Sequence, residues 1–167
     1  DIKLHRYKHN DMNDFEKKLA KIPEGEPILV VTDGVFSMEG DIVDLPGMRT
    51  LAEKYKAAIY LDEAHAIGVL GETGRGTTEH FKNSVDADVM MCTFSKSFGS
   101  IGGFVAGDSK VIDYIKHFAR PLMFSASMPP ANIVAASTAL EIIKKEPERV
   151  QRLQEIGKKM ASAFTDM

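Results

Sequence analysis

Three short apolar segments, each followed by polar residues, constrain the fold of this chain more than any other feature. They lie at residues 28–33, 57–62 and 87–94, and a shorter apolar segment follows at 104–107. Their apolar residues do not alternate with polar ones, which is typical of strands that are buried on both faces of a parallel sheet. The sequence therefore predicts four strands, three of which are expected to lie in the interior of the molecule.

Helical spacing of apolar residues accounts for most of the remaining chain. It predicts helices over 11–22, 46–56, 78–83, 110–118, 133–145 and 148–164. The segment 120–130 contains three prolines and is predicted to be extended or looped. The helix over 133–145 is apolar nearly all round at its start, which predicts burial or an interface.

The alternation of strands and helices predicts an α/β fold with a mostly parallel sheet and helices on both faces. No linker or repeat interrupts residues 1–167, so we expect a single domain. The chain begins at Asp1 rather than at a methionine, and we therefore expect an upstream segment.

Composition and charge argue against several classes of function. The formal net charge is −3 without a block of like charges, so nothing indicates binding to nucleic acid. No apolar stretch approaches the roughly 20 residues of a membrane helix, and no signal-peptide pattern opens the chain. The single cysteine, Cys92, excludes an intrachain disulfide and is predicted to lie in the core. These features favour a cytoplasmic protein.

The polar residues that follow the three longer strands are expected to meet. Asp33 ends the first strand, Asp62 ends the second, and residues 93–96 follow the third. In open parallel sheets, ligands bind outside the carboxyl ends of the strands. The sequence therefore predicts a binding site at this edge of the sheet.

Lys96 is the most unusual residue of this predicted edge. It lies between Ser95 and Ser97, after an apolar strand and before a turn that contains Gly99 and Gly102. Burying an ammonium group is costly unless it is paired or loses its proton. Such a lysine either holds a phosphate or is kept reactive for Schiff-base chemistry. We favour the second interpretation over the first and over a solvated loop lysine.

The neighbouring side chains provide the other groups that a pyridoxal phosphate cofactor requires. The ring nitrogen needs a carboxylate, and Asp62 stands at a strand end. The ring oxygen needs a hydrogen-bond donor, for which His65 is suitable, and the phosphate needs hydroxyl groups such as those of Thr93 and Ser95. Each of these residues also has a simpler explanation, since Asp62 could cap the following turn and His65 could be a structural histidine.

Several stretches together resemble one enzyme family. They are Asp-Glu-Ala-His at 62–65, the glycine-rich segment 68–76, Thr-Phe-Ser-Lys-Ser-Phe-Gly at 93–99, the loop 33–41 and the segment 124–130. They look like those of the α-oxoamine synthases, which are fold-type-I pyridoxal-phosphate enzymes. Members of that family condense an amino acid with an acyl-CoA thioester and release carbon dioxide. The resemblance extends over essentially the whole chain and implies a homodimeric acyltransferase.

The resemblance implies catalytic and cofactor-binding roles for three residues. Lys96 would bind the cofactor aldehyde and then remove the Cα proton of the substrate as general base. Asp62 would hold the proton of the pyridinium nitrogen. His65 would hydrogen-bond the ring oxygen and polarise the carbonyl of the incoming thioester.

The resemblance assigns the hydroxyl groups to the periphery of the cofactor. Thr93 and Ser95 would bind the phosphate, and Ser37 would lie near the ring oxygen. Ser125, or Ser127 in its place, would reach the phosphate bound by the neighbouring subunit. The family's ring-stacking histidine and substrate-binding arginine have no counterpart in this chain. Residues 1–167 would therefore be the later part of the large domain, without an N-terminal segment and without the C-terminal small domain.

The residue before the lysine distinguishes branches of the family. Ser95 at this position resembles the bacterial serine palmitoyltransferases, whereas the aminobutyrate ligases and aminolevulinate synthases tend to carry glycine there. This likeness implies serine and palmitoyl-CoA as substrates and a 3-ketosphinganine-type product in sphingolipid biosynthesis, with peripheral membrane association through that lipid product. Two alternatives within the family are 2-amino-3-ketobutyrate CoA ligase and 8-amino-7-oxononanoate synthase. An alternative of another class is a structural or self-associating piece without activity.

The other residues with ligand chemistry receive structural interpretations. Four further histidines lack the spacing of metal ligands, and no metal site is predicted: His5, His9, His80 and His117. Asp62 and Glu63 are adjacent in a strand and should point to opposite faces, so they are not expected to share a ligand. The string Asp-Glu-Ala-His is also found in helicases, but these need a Gly-x-x-x-x-Gly-Lys-Ser/Thr loop that is not in this sequence.

Overall fold

The computed structural model describes residues 2–165 and contains a four-stranded sheet. The strands are β1 (Leu29–Asp33), β2 (Ala58–Asp62), β3 (Val89–Thr93) and β4 (Gly103–Gly107), in the order β1-β2-β3-β4. The first three strands are parallel, and β4 is antiparallel to β3. The prediction of a mostly parallel sheet is confirmed, and all four predicted strands are present.

Helices connect and flank the strands. They are α1 (Met12–Leu19), α2 (Leu45–Lys54), α3 (Thr77–His80), α4 (Ser109–Phe118), α5 (Arg120–Met123), α6 (Pro130–Lys145) and α7 (Glu148–Thr165). The carboxylates of Asp11, Asp44 and Asp108 cap α1, α2 and α4 by accepting a backbone N–H of the first turn. Among residues 2–165, no helix combines the length and the apolar character needed to cross a membrane.

The prediction of an extended or looped segment over 120–130 is wrong at its start. Residues 120–123 form the single-turn helix α5, with Pro121 in its first turn. A proline is tolerated there because its missing N–H would have no partner within the helix. The proline therefore favours the beginning of this helix.

One face of the sheet forms the core together with α1 and α2. Ile59 and Leu61 of β2 have no exposed surface, and Val30 of β1 is buried beside them. Phe15 of α1 and Met48 of α2 belong to the same apolar cluster. Burial of this face supplies most of the apolar contact that holds the sheet to these helices.

The opposite face of β1 is open. The side chains of Leu29 and Val31 are 60% and 62% exposed. The expectation that this strand is buried on both faces is therefore wrong for the described chain, because no layer of residues 2–165 covers that side of β1. In α6 only Ala136 is buried, while Ile133 and Val134 are at least half exposed, so burial of α6 is also wrong and its role as an interface stays a prediction.

Candidate active site

The carboxyl ends of the three parallel strands lie at one edge of the sheet. Asp33 of β1 is in register with Asp62 of β2, and Asp62 is in register with Met91 of β3. Thr93 ends β3 two residues after Met91 and therefore lies on the same face as Asp62. The expected meeting of the strand ends is confirmed.

Lys96 lies in a tight turn between β3 and β4. Within this turn, the Gly99 amide donates to the Lys96 carbonyl over 3.0 Å and the Ser100 amide donates to the Phe94 carbonyl over 2.7 Å. The Phe94 ring contacts the buried ring of Phe98, with 5.2 Å between their centroids. The turn is therefore folded around an aromatic pair, and its backbone holds Lys96 at a defined place beside the end of β3.

The hydroxyl groups of Thr93 and Ser95 form a small polar cluster next to Lys96. Their oxygens are 2.9 Å apart, and the Ser95 amide donates to Thr93 Oγ1 over 3.2 Å. Thr93 Oγ1 also donates to the carbonyl of Gly102 over 3.2 Å. The two predicted phosphate ligands are thus adjacent to each other and to the lysine.

Several ionisable groups converge at this edge. Partial burial and the negative charges of Asp62 and, more weakly, Glu39 raise the pKa of Asp33, while His65 and Lys96 act in the opposite direction. Asp62, His65 and Lys96 therefore all lie within electrostatic reach of the Asp33 carboxylate. Asp33 was expected at the edge but was given no role from the sequence, and its place in register with Asp62 was the available signal.

The Asp62 carboxylate is held by the turn that follows β2. Its Oδ1 accepts the Ala64 amide over 2.8 Å, whereas Oδ2 accepts no hydrogen bond from the side chains and backbone of residues 2–165. Asp62 and His65 are both half-buried. The carboxylate is therefore oriented by its own backbone and keeps one oxygen available to a ligand.

Lys96 is exposed, so the expectation that its ammonium group is buried is wrong for this chain. Ser95 and Ser97 on either side are exposed as well. The physical reason is the open face of the sheet, which no layer of the described residues covers at this edge. Chemistry at Lys96 is favoured by the convergence of charged groups around Asp33 and not by burial of the lysine.

Glu63 points away from this cluster and has a structural role that the sequence analysis did not identify. It is 3% exposed and accepts two hydrogen bonds of 3.0 and 3.1 Å from the Thr77 amide and one of 2.9 Å from Thr77 Oγ1. Gly76 has φ +95°, and a Cβ there would lie 2.6 Å from Glu63 Oε2, so only glycine fits. The expectation that Asp62 and Glu63 face opposite ways is confirmed.

The glycine-rich loop after His65 packs directly on the lysine turn. Gly68 has φ +77°, and a Cβ at this position would lie 2.7 Å from Ser97 Cβ. The close approach brings the loop that begins at His65 against the turn that contains Lys96. Farther along the loop, Glu79 accepts the amides of Thr73 and Arg75, each over 3.0 Å. These bonds give the loop a fixed shape.

Cys92 lies in the core, as predicted. Its side chain is 1% exposed, and burial, together with the charges of Glu63 and Asp62, raises the pKa of its thiol to about 11. A thiol with this pKa stays protonated near neutral pH and is a poor nucleophile.

Ser37, Ser125 and Ser127 form no hydrogen bond with the cluster among residues 2–165. All three are exposed on loops, Ser37 between β1 and α2 and the other two between α5 and α6. Met128 packs against Gly102 and thereby holds the second loop near the end of the lysine turn. Their roles toward a ligand stay predictions.

The side chains at this edge form a set suited to one kind of ligand. They are a carboxylate, an imidazole, a primary amine and a pair of hydroxyls, placed around the ends of neighbouring strands. This set matches a molecule with a basic ring nitrogen, an electrophilic carbon and an anionic group. Residues 2–165 contain no group of three or more His, Cys, Asp or Glu side chains arranged to hold a metal ion.

Comparison with known proteins agrees with the fold and with the motifs. The family model "Aminotransferase class I and II" matches residues 1–167. The chain is 54% identical to a serine palmitoyltransferase of Sphingobacterium spiritivorum over 151 residues, which cover 90% of this chain and 38% of that protein. It is 46% identical to an 8-amino-7-oxononanoate synthase of Fervidobacterium nodosum over 154 residues, which cover 90% of this chain and 39% of that protein.

Solved structures have the same arrangement of elements. A Sphingomonas wittichii serine palmitoyltransferase superposes with a TM-score of 0.90 at 34% identity, over 97% of this chain and 41% of that one. A high-resolution structure of SPT with a PLP internal aldimine superposes with a TM-score of 0.84 at 37% identity, over 90% of this chain and 38% of that one.

The chain spans less than half the length of the curated relatives that it matches. Its match to the family model is nevertheless complete, and the relatives are similar to it in sequence and in fold. The chain therefore belongs to the class I and II aminotransferase family and, within that family, to the α-oxoamine synthases.

Proposed function

We propose that this chain forms part of a pyridoxal-phosphate-dependent acyltransferase, which condenses an L-amino acid with an acyl-CoA and releases carbon dioxide. The observation that supports this most is the convergence of Asp62, His65 and Lys96 around Asp33 at the carboxyl ends of β1 and β2. A carboxylate and an amine on one edge can contact opposite ends of a single aromatic aldehyde. The family membership of the chain agrees with this chemistry.

The side chains present fit pyridoxal phosphate. The free Oδ2 of Asp62 would contact the ring nitrogen, the Lys96 amine would bind the aldehyde carbon, and His65 would donate to the ring oxygen. The paired hydroxyls of Thr93 and Ser95 would bind the phosphate. When bound, this cofactor supplies a protonated ring that withdraws electrons from the α-carbon of the substrate.

The residues of this chain would then act on protons and on orientation. Asp62 would keep the ring nitrogen protonated, because its negative charge favours the cationic form. The Lys96 amine would take the proton from the substrate Cα, and its position in an exposed turn leaves the side chain free to move. His65 would hold the ring oxygen by a hydrogen bond and would also polarise an incoming thioester carbonyl.

We propose serine and palmitoyl-CoA as the substrates, with a 3-ketosphinganine-type product. Ser95 before the lysine and the 54% identity to a protein named serine palmitoyltransferase support this choice. The second candidate is 8-amino-7-oxononanoate synthase, which the 46% identity to such a protein favours. We further propose that the protein forms a homodimer, in which Ser125 reaches the partner's phosphate site. We also propose that it is located in the cytoplasm and associates with membranes through its product.

Borohydride reduction tests the proposed role of Lys96. The 167-residue chain and the full-length protein are incubated with pyridoxal phosphate, reduced and analysed by peptide mapping. We expect covalent label on Lys96 in both, its loss in Lys96→Arg and its retention in the matched control Lys110→Arg. Label in the full-length protein alone would favour the alternative of an inactive piece, and label on neither would contradict the proposed function.

The choice of amino acid is tested separately with the full-length protein loaded with pyridoxal phosphate. Serine, alanine and glycine are added in turn, and the absorption of the bound cofactor is followed. We expect serine to perturb the spectrum at the lowest concentration. A preference for alanine would favour the second candidate, and a preference for glycine would favour a 2-amino-3-ketobutyrate CoA ligase.

A further inference from the structure

A polar cluster away from the strand ends joins the segment before α1 to the loop between β1 and α2. It consists of His9, Asn10 and Asp41, and we refer to these three residues as the His9–Asp41 clasp. None of them was assigned a functional role from the sequence. Thirty-two positions separate His9 from Asp41, so the clasp is a tertiary contact between two distant segments.

His9 is fixed from two sides. Its Nε2 lies 3.0 Å from both carboxylate oxygens of Asp41. Its ring meets the ring of Phe36 edge-on, with 4.4 Å between the centroids and 71° between the planes. The histidine therefore contacts both ends of the loop that runs from Phe36 to Asp41.

Asn10 makes a second connection to the same loop. Its Nδ2 donates to Asp41 Oδ2 over 3.2 Å and to the Ile42 carbonyl over 2.9 Å, while its Oδ1 accepts the Asp44 amide over 2.9 Å. Its backbone has φ +50°, a conformation that asparagine adopts more readily than most residues. The amide group of Asn10 thus binds the loop both as a hydrogen-bond donor and as an acceptor.

The clasp attaches the loop to a rigid part of the fold. Asp11, the residue after Asn10, caps α1, and Phe15 and Leu19 of α1 are each 3% exposed in the core. Slight desolvation acts to raise the pKa of Asp41, but the hydrogen bonds from His9 and Asn10 outweigh it and lower that pKa below its ordinary value. The Asp41 carboxylate is therefore ionised and held.

The loop itself resembles a narrow hairpin and begins beside the candidate active site. Val35 and Ile42 form an antiparallel bridge, the Phe36 amide donates to the Asp41 carbonyl over 3.0 Å, and the Gly40 amide donates to the Phe36 carbonyl over 2.8 Å. Its tip, residues 37–40, is exposed. The loop starts immediately after Asp33, and the bridge between Val35 and Ile42 closes its base next to the site.

We propose that His9, Asn10 and Asp41 are positioning residues, which hold the loop so that Ser37 meets the cofactor ring oxygen. This inference rests on the proposed function, because it assumes that pyridoxal phosphate occupies the strand edge. Ser37 forms no side-chain hydrogen bond to the rest of residues 2–165, so its location depends on the backbone contacts that the clasp supports.

The test uses the full-length protein and the variants Asp41→Ala, His9→Gln, Ser37→Ala and Asp41→Ala/Ser37→Ala. The matched control is Asp113→Ala, which removes the carboxylate of another His–Asp pair: His117 Nδ1 and Asp113 Oδ1 are 3.6 Å apart on α4. Hydrogen exchange of the Phe36 and Gly40 amides is measured without cofactor. The dissociation constant for pyridoxal phosphate is measured by absorption titration.

We expect exchange of the two amides to rise about tenfold in Asp41→Ala, because the loop opens more often. We expect Asp41→Ala to raise the dissociation constant about fivefold relative to the unmodified protein. The double variant Asp41→Ala/Ser37→Ala should differ from Ser37→Ala by less than about 1.5-fold, since the clasp acts through Ser37. His9→Gln retains a hydrogen-bond donor and should keep most of the affinity for pyridoxal phosphate. Asp113→Ala should change neither the amide exchange nor the dissociation constant.

Two results would overturn the inference while leaving the proposed function intact. One is unchanged exchange of the Phe36 and Gly40 amides in Asp41→Ala, and the other is an equal loss of affinity with and without Ser37. Failure of the unmodified full-length protein to bind pyridoxal phosphate would instead overturn the proposed function, and this inference with it.

Discussion

The two faces of the sheet have different tasks. On the closed face, Ile59 and Leu61 have no exposed surface and pack under α1 and α2. On the open face, Val31 of the neighbouring strand is 62% exposed, and Asp62 stands at the end of this face beside Asp33. One face therefore specifies the fold, whereas the other leaves its strand ends accessible to a ligand.

Asp62 and Glu63 show this division within two adjacent residues. Asp62 ends β2 on the open side and keeps one carboxylate oxygen without a partner among residues 2–165. Glu63 turns to the closed side, where Thr77 satisfies its carboxylate with an amide and a hydroxyl. The strand pleat separates two chemically similar groups into a ligand-binding role and a structural one.

The largest effect is expected from replacing Lys96 on the open side. Lys96→Ala in the full-length protein should lower kcat by more than about 10³-fold, because no other amine would bind the cofactor aldehyde and accept the substrate proton. The thermal midpoint without cofactor should not change, since the side chain is exposed. Lys110→Ala, another exposed lysine, is the control. Retained activity in Lys96→Ala would contradict the assignment of this residue as the reactive amine.

Truncating one apolar residue on each face tests whether the two faces contribute differently to the free energy of unfolding. Leu61→Ala should lower the free energy of unfolding of the 167-residue chain by about 2–5 kcal/mol, because it leaves a cavity in the core. Val31→Ala on the open face should change it by less than about 0.5 kcal/mol. Urea unfolding measures both. Equal losses would mean that the face with Val31 is covered, and the comparison would fail.

The adjacent acids are expected to give opposite results in binding and stability. Glu63→Ala should lower the free energy of unfolding by about 1–3 kcal/mol, because the amide and hydroxyl of Thr77 lose their buried acceptor. Asp62→Ala should change stability little but weaken binding of pyridoxal phosphate by about tenfold or more, because a charge-assisted hydrogen bond is lost. Urea unfolding and cofactor titration of both variants provide the measurements. The assignment is contradicted if Glu63→Ala weakens binding more than Asp62→Ala does.

The strands and their parallel arrangement could be predicted because their signal is local. Each strand is an apolar run without alternation, and the polar residues at the strand ends predicted the edge at which Asp33, Asp62 and Thr93 meet. The exposure of Lys96 and of Val31 could not be predicted in this way. An apolar run indicates that a strand can be buried, but whether both faces are covered depends on layers that are distant in the sequence.

The polar contacts that support the site could not be predicted from sequence patterns either. Glu63 and Thr77 are 14 positions apart, and His9 and Asp41 are 32 apart. Neither separation corresponds to a helix or strand period, so no local pattern pairs these residues. The glycines offered a partial signal, since Gly76 is required next to Glu63 by its conformation and by the close approach of the carboxylate.

The smallest expected effect concerns the pH dependence of stability, through Glu63 on the closed face. Burial raises the pKa of Glu63 above its ordinary value of 4.5, although hydrogen bonds from Thr77 oppose this. The folded state therefore binds the proton more tightly than the unfolded state does. The part of the stability that comes from this tighter proton binding is complete below pH 4.5 and is lost as the pH rises through the raised pKa.

Glu63→Gln isolates this contribution, because glutamine is neutral at every pH and similar in shape to the protonated acid. The urea midpoints of the unmodified chain and of Glu63→Gln are compared between pH 4.5 and pH 7. The unmodified chain should lose stability relative to the variant as the pH rises, by less than the whole effect of Glu63→Ala. A relative gain with rising pH would mean that the Thr77 hydrogen bonds outweigh burial. The closed side would then stabilise a charge, as the open side is proposed to do, and the two faces would differ less than their exposure indicates.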